Sequence, residues 1–496
     1  LSFADEARIA FGNLADFAGD MVEPTIRVGV TGLSRAGKTV FITALVHALT
    51  RGGRFPMFEA QTEGRIASAA IKAQPDPAVP RFAIEDHLGT LTGVARTWPE
   101  STRQISELRL RIGFDSAKFL KRNLGRGQLT LDIVDYPGEW LLDLALIGKD
   151  YETWSRETLV LAGAETRAPL AKDWRSHLQT LDPNGPEDAV AARTSSELFR
   201  SYLISCRDER VSLSTLPPGR FLMPGDLDGS PALTFAPLPE VGEAPKPGSL
   251  HALMASRYDA YKTHVVLPFF RNHFARLDRQ IVLVDALAAL NAGPNAVQDL
   301  ERALSDILVA FRVGSKSIIG DLIGRRIDRL LFAATKADQL HHANHPRLEA
   351  ILRRLVDRGI AHAGDTGAEV DVMALAAIRA TREATVTQNG SALDCIVGTP
   401  EPGQTVAGRT FDGTSEFAYF PGDLPSDPDQ IFDPSGKAYR GLEQAGAGDS
   451  GADTTDLRFL RFRPPLVEMA DGGLPGPLPH IRMDRALQFL LGDRLS

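Results

Sequence analysis

Apolar residues recur at helical spacing from the start of the chain. Phe3, Ala7, Ala10, Phe11, Leu14, Phe17, Ala18 and Met21 form one face and acids lie opposite, so residues 1–24 read as an amphipathic helix. It has neither the basic start nor the unbroken apolar centre of a signal peptide, and its face suits the body of the protein, a partner or a membrane surface. The spacing then changes. "TIRVGVTGL" reads as a short buried strand and Thr39 to Leu49 as a helix, which makes a strand, loop, helix junction. Arg51 to Pro99 carries scattered Pro and Gly, with two pieces read as helical, "EGRIASAAIKA" and "AIEDHLGTLTGVART". "ISELRLRIGF" and "GQLTLDIVDYPG" follow as neighbouring strands.

Leu141 to Asp278 is mostly helical in pattern, broken by a Pro- and Gly-rich excursion. Strand and helix then alternate again through "RQIVLVDAL", a helix past Ala303 and Phe311, "IDRLLFAATKAD" and "AEVDVMALAAIRAT". Such alternation predicts an α/β fold, a doubly wound and mostly parallel sheet with helices on both faces. Thr385 to Leu466 has short alternating pieces split by Gly, Pro and Asp, as a β-rich insertion would, with a loop at "LEQAGAGDSGADTTD". "HIRMDRALQFLLGDRL" reads as a closing helix. The expected divisions are an N-terminal helix (1–24), a first core part (25–140) with an insertion at 51–99, and a helical insertion (141–278). A second core part (279–384), the β-rich insertion (385–466) and a closing segment (467–496) complete them.

Composition narrows the function. A net charge of −8 gives no general attraction to nucleic acid or anionic lipid. Cys206 and Cys395 are too few for a disulfide framework in so long a chain, which points to the cytoplasm. No apolar run is long enough for a transmembrane helix.

Gly32-Leu33-Ser34-Arg35-Ala36-Gly37-Lys38-Thr39 fits G-x-x-x-x-G-K-[ST], the P-loop pattern, with Val40 next in the helix. Its glycines let backbone N–H groups turn in around phosphates at a helix N-terminus. Lys38 is expected to neutralise phosphate oxygens and the Thr39 hydroxyl to ligate Mg²⁺. Asp135-Tyr136-Pro137-Gly138 follows an apolar strand, where an acid reaches the Mg²⁺ shell and a glycine N–H the γ-phosphate. Thr335-Lys336-Ala337-Asp338 has the [NT]-K-x-D spacing. An acid there accepts from guanine N1–H and the 2-amino group, a donor pair that adenine lacks, so Asp338 argues for GTP over ATP. Ala377 or Ile378, after the next strand, is placed to offer an N–H to the guanine carbonyl.

Thr97, Ser101 and Thr102 lie where a threonine closes over Mg²⁺, with Thr102 preferred, and Arg103 or Arg96 is a candidate in-cis arginine. Glu139 stands where many GTPases use a glutamine to orient water. It either positions water or repels the γ-phosphate. The histidines of "HHANH" lack matched carboxylate or thiolate spacing and read as a solvated loop rather than a metal site.

"GLSRAGKTVFITALVHAL", "STRQISELRLRI", "LDIVDYPGEWLLDLAL", "ATKADQLH", "ALAAIRATREA" and "HIRMDRALQFLLGDRL" together resemble the YcjX-like family of bacterial P-loop proteins, over essentially the whole chain. The resemblance implies a stress-associated cytoplasmic GTP-binding protein with a G-domain core and large insertions, laid out like heterotrimeric G-protein alpha subunits. It also implies a membrane-protein partner. On this reading Gly32, Ser34, Arg35, Gly37, Lys38 and Thr39 match the phosphate loop, Asp135 and Gly138 the switch II turn, and Lys336 and Asp338 the base pocket. The expected cofactors are GTP or GDP and Mg²⁺, and the expected reaction is GTP hydrolysis that drives a conformational switch. An ATPase of the same fold and a nucleotide-stabilised scaffold with negligible hydrolysis stand as alternatives. Oligomeric state is left open.

Overall fold

The computed structural model describes residues 24–33, 35–100, 104–117, 127–208, 211–239, 244–312, 327–363, 368–388, 391–406, 408–433, 459–470 and 474–496. The N-terminal helix expected over 1–24, Ser34, Thr102, Arg103 and the loop at 442–456 lie outside them, save for Pro24. The main sheet is built from β1 (Thr25–Gly32), β2 (Ile66–Lys72), β3 (Ser106–Phe114), β4 (Gly127–Asp135), β5 (Arg279–Val284), β6 (Arg329–Ala334) and β7 (Glu369–Ala374), in the order β2-β3-β4-β1-β5-β6-β7. The run from β4 to β7 is parallel throughout. β3 joins β4, and β2 joins β3, in antiparallel pairs. This is the doubly wound α/β sheet of a P-loop NTPase. Strand order reverses at β1, whose neighbours are β4 and β5, and that opens a crevice beyond its carboxyl end.

The longer helices are α1 (Lys38–Arg51), α2 (Ile84–Thr92), α3 (Tyr151–Ala162), α4 (Ala189–Cys206), α5 (Leu250–Tyr261), α6 (Pro294–Arg312), α7 (His345–Ala363) and α8 (Met483–Leu491). Every residue of β5 is buried, as a strand covered on both faces requires. Its side chains alternate between two cores. Ile281 and Leu283 pack with Phe41 of α1 and Leu487 of α8, while Val282 and Val284 pack with Leu304 of α6 and Leu352 of α7.

One sequence expectation fails in the core. "EGRIASAAIKA" is the edge strand β2 and not a helix. Its alanines favour a helix locally, but backbone pairing with β3 overrides that weak preference, and a half-exposed edge tolerates small side chains.

Between β4 and β5 the described elements are helices, and they share the α6–α7 core. Trp154 of α3 stacks on Tyr258 of α5 at 4.9 Å between ring centroids. Arg167 pairs with Asp299 of α6 at 2.6 Å with both side chains buried, and Asp299 also accepts from the Ser214 and Thr215 amides. After β7 come β8 (Arg382–Gln388), β9 (Ser391–Gly398), β10 (Thr405–Val406), β11 (Arg409–Thr410) and β12 (Phe417–Tyr419). β12-β9-β8 form a second sheet and β10-β11 a hairpin, closed over a small core of Ile396, Phe411, Leu460 and Phe462. α8 locks the C-terminus to the main sheet, where the buried Arg279 of β5 pairs with Asp493 at 2.6 Å. Among the described residues no helix is long and apolar enough to cross a membrane.

Candidate functional site

β1 ends at Gly32, and the chain turns into α1 through two residues in the left-handed region, Arg35 (φ 60°) and Gly37 (φ 86°). Gly37 caps the helix, where a side chain would be strained. Lys38 curls back so that Nζ donates to the Gly32 carbonyl at 2.8 Å, holding its charge over the loop. The Thr39 hydroxyl lies 3.4 Å from the Glu100 carbonyl and donates to it. Beyond β4, Gly138 packs on this loop: a Cβ there would stand 2.2 Å from the Gly32 oxygen, so only glycine lets the turn close. Asp135 ends β4, paired in register with Val30 of β1, and is buried.

The other end of the crevice is built after β6. Lys336 (φ 60°) forms an ion pair with Asp285 at the end of β5. Asp338 is buried, and burial pushes its carboxyl up to about 6 against the opposing pull of the Ala380 amide, which donates to Oδ2 at 2.9 Å. The Thr381 hydroxyl donates to the Asp338 carbonyl at 2.5 Å, and the Ala337 amide to Leu375 O at 3.2 Å. His345 is buried, which lowers its pKa and keeps it neutral, and its ring N–H donates to the Ala337 carbonyl at 2.9 Å. The solvated reading of "HHANH" therefore holds for the exposed His342 only. His341 is also buried, and both meet Glu383 from β8.

A cavity of about 330 Å³ joins the two ends. It brings together Arg35, Ala36, Gly37, Lys38, Thr39 and Val40 with Lys336, Asp338, Ala377 and Ile378. Gly32, Asp135, Gly138 and Glu139 are not in its lining; the first and third shape the loop from behind. Arg96 is engaged elsewhere, donating to Pro464 O at 3.1 Å. Two groups of lining residues escape the sequence reading. Trp98, Pro99 and Glu100 close one wall, and Glu401, Arg461 and Phe462 arrive from the β-rich segment. The alternation of cations and aromatics in "RFLRFRP", within the β-rich insertion, is the signal that points to Arg461 and Phe462.

The phosphate end is cationic. Burial lowers the pKa of Arg35, and Arg461 and Arg207 nearby lower it further against the smaller opposing effects of Asp208 and Asp285, so an anion among the three guanidiniums is favoured. The Thr39 hydroxyl and the Asp135 carboxylate are hard oxygen donors at the same end of the crevice, a set that suits Mg²⁺.

Glu139 is outside the cavity lining, held by the same Arg207 that stands near Arg35. It is 4% exposed and lies 3.2 Å from Arg207, just past α4. The helical segment covers it closely: a Cβ on Gly219 would be 2.1 Å from the Glu139 oxygen. Next to it the Arg220 guanidinium lies 3.2 Å over the Trp140 ring. Asp143 accepts from the Gly219 amide and the Tyr261 hydroxyl, each at 2.6 Å, and burial raises its carboxyl to about 6.

The chain is 36% identical over 486 residues to the Ras-like GTPase YcjX of Escherichia coli, covering 96% of this chain and 97% of that protein. Its identity to the Ras-like GTPase YcjX of Shewanella oneidensis is 33% over 491 residues, 95% of each. The family described as "YcjX-like family, DUF463" matches residues 26–495, and with the phosphate loop, the Asp-x-x-Gly turn and the Thr-Lys-x-Asp loop set on one sheet edge, this chain belongs to that family of GTPases.

Proposed function

We propose that the chain binds GTP in the 330 Å³ cavity and hydrolyses it to GDP and phosphate, using the two nucleotide states as a conformational switch. The observation that supports this most is one cavity with the phosphate loop at one end and Asp338 at the other. Ionised Asp338 accepts two hydrogen bonds from guanine, and Ala377 or Ile378 presents backbone to the base carbonyl. Lys38, Arg35 and the loop N–H groups face the charge that develops on the transferring phosphoryl group, so catalysis here is mainly positioning and electrostatics. Thr39, and indirectly Asp135, would hold Mg²⁺, which would supply further neutralisation of the phosphates. Thr102 and Arg103 keep their proposed parts in closing the site. Following the resemblance, the switch serves a bacterial stress response from the cytoplasm through a membrane-protein partner.

A second reading, a GTP- or GDP-stabilised scaffold with negligible hydrolysis, is favoured by Glu139 lying outside the cavity beneath the helical segment. Single-turnover phosphate release with Mg²⁺ separates the two. Wild type should release phosphate well above Lys38→Ala; equal background rates with nucleotide still bound would leave the scaffold. Asp338→Asn should abolish preference for GTP over ATP, and an unchanged preference would overturn guanine recognition.

A further inference from the structure

Three acids line the nucleotide-sized cavity: Glu100, Asp338 and Glu401. Asp338 belongs to the base end, where its carboxylate accepts from the Ala380 amide and its backbone carbonyl from the Thr381 hydroxyl. Glu100 sits at the other end, its carbonyl against Thr39. Glu401 belongs to neither end, and it arrives with Arg461 as one unit. The Glu401 amide donates to Arg461 O at 2.8 Å, Pro400 bridges Phe462 in antiparallel pairing, and the Arg461 amide donates to Gln404 Oε1 at 3.1 Å.

Their neighbours fix where along the cavity they stand. Arg461 is close enough to Arg35 of the phosphate loop to lower its pKa. Burial raises the Glu401 carboxyl, and the charges of Arg461 and of Lys336 from the base loop, which line the same cavity, pull it down. Glu401 thus lies between the base end and the phosphate end. In a nucleotide stretched from Asp338 to Lys38, the sugar occupies that interval. An ionised carboxylate only accepts hydrogen bonds, and a ribose offers it two adjacent hydroxyl donors.

We propose that Glu401 accepts the 2′- and 3′-hydroxyls of the bound nucleotide and that Arg461 contacts its phosphates, so the β-rich segment completes the site and selects ribonucleotides. This rests on the guanine-nucleotide reading above. The segment thereby becomes a reader of the nucleotide rather than an appendage, because its fold holds both residues at the cavity wall.

Calorimetry with unmodified GDP and with 2′,3′-dideoxy-GDP tests it. Wild type should bind GDP about ten- to hundredfold more tightly, the range for hydrogen bonds to a charged acceptor. Glu401→Ala should bring GDP affinity down to that of the dideoxy analogue and leave the analogue unaffected, with Glu401→Gln intermediate and a shared thermal midpoint certifying the fold. Arg461→Ala should weaken GDP far more than guanosine. Equal binding of GDP and dideoxy-GDP by wild type overturns the ribose contact without any variant, and equal loss for guanosine and GDP in Arg461→Ala overturns the phosphate contact. Absence of any guanine-nucleotide binding by wild type would instead sink the underlying reading, a distinguishable result.

Discussion

Gly32, Gly138 and Gly219 form a stack in which each missing side chain makes room for backbone: Gly138 on the Gly32 oxygen, Gly219 on that of Glu139. A methyl at 138 would stand 2.2 Å from that oxygen with no flexible atom to yield. Gly138→Ala is therefore expected to push the turn off the phosphate loop and weaken GTP binding at least about tenfold, the effect of misplacing a site by a fraction of an ångström; wild-type affinity in a titration would show that the turn moves freely. Asp338 sets the pH dependence. Its carboxyl sits near 6 when folded against 3.8 unexposed to burial, so its contribution to stability is present below 3.8 and lost as pH rises through about 6. Guanine needs the ionised form. GDP affinity should thus fall as pH drops below about 6, by up to about tenfold per unit, and Asp338→Asn should abolish that slope. Calorimetry from pH 5 to 7.5 checks both, and a flat wild-type profile would exclude Asp338 as the base acceptor.

At the scale of elements, the phosphate loop, the parallel strands and the fold class were legible because each rests on local constraints: apolar runs, glycines at fixed offsets, an acid closing a strand. β2 was not, since what makes it a strand is its partner β3, some forty residues on. Glu401 and Arg461 were hidden for the same reason, brought to the cavity by a bridge between Pro400 and Phe462. Nor does sequence show that the helical segment clasps the turn after β4 through Asp143, which binds the Gly219 amide and the Tyr261 hydroxyl. Asp143→Ala leaves both donors buried and unsatisfied, for an expected loss of about 3 kcal/mol in denaturant unfolding. A loss below about 1 kcal/mol, typical of exposed sites, would mean that the helical segment is held by its apolar core alone.

For the whole molecule, two segments distant in sequence meet over the cavity. Trp98 Nε1 donates to Phe462 O at 2.8 Å and Arg96 to Pro464 O at 3.1 Å, so the wall at 98–100 is tied to the β-rich segment that carries Arg461. With a nucleotide held in the cavity, an exit past this wall requires that tie to open. The tie is thus a candidate gate, and it links the cavity wall to the small sheet. Removing its indole donor while keeping an aromatic ring isolates the gate from packing. Trp98→Phe should speed GDP release about fivefold, as expected for a neutral hydrogen bond worth about 1 kcal/mol, while equilibrium unfolding changes little. Release of radiolabelled GDP chased by unlabelled nucleotide measures it. If the off-rate stays at the wild-type value, the nucleotide leaves past the base loop, and the coupling between the two segments does not control exchange.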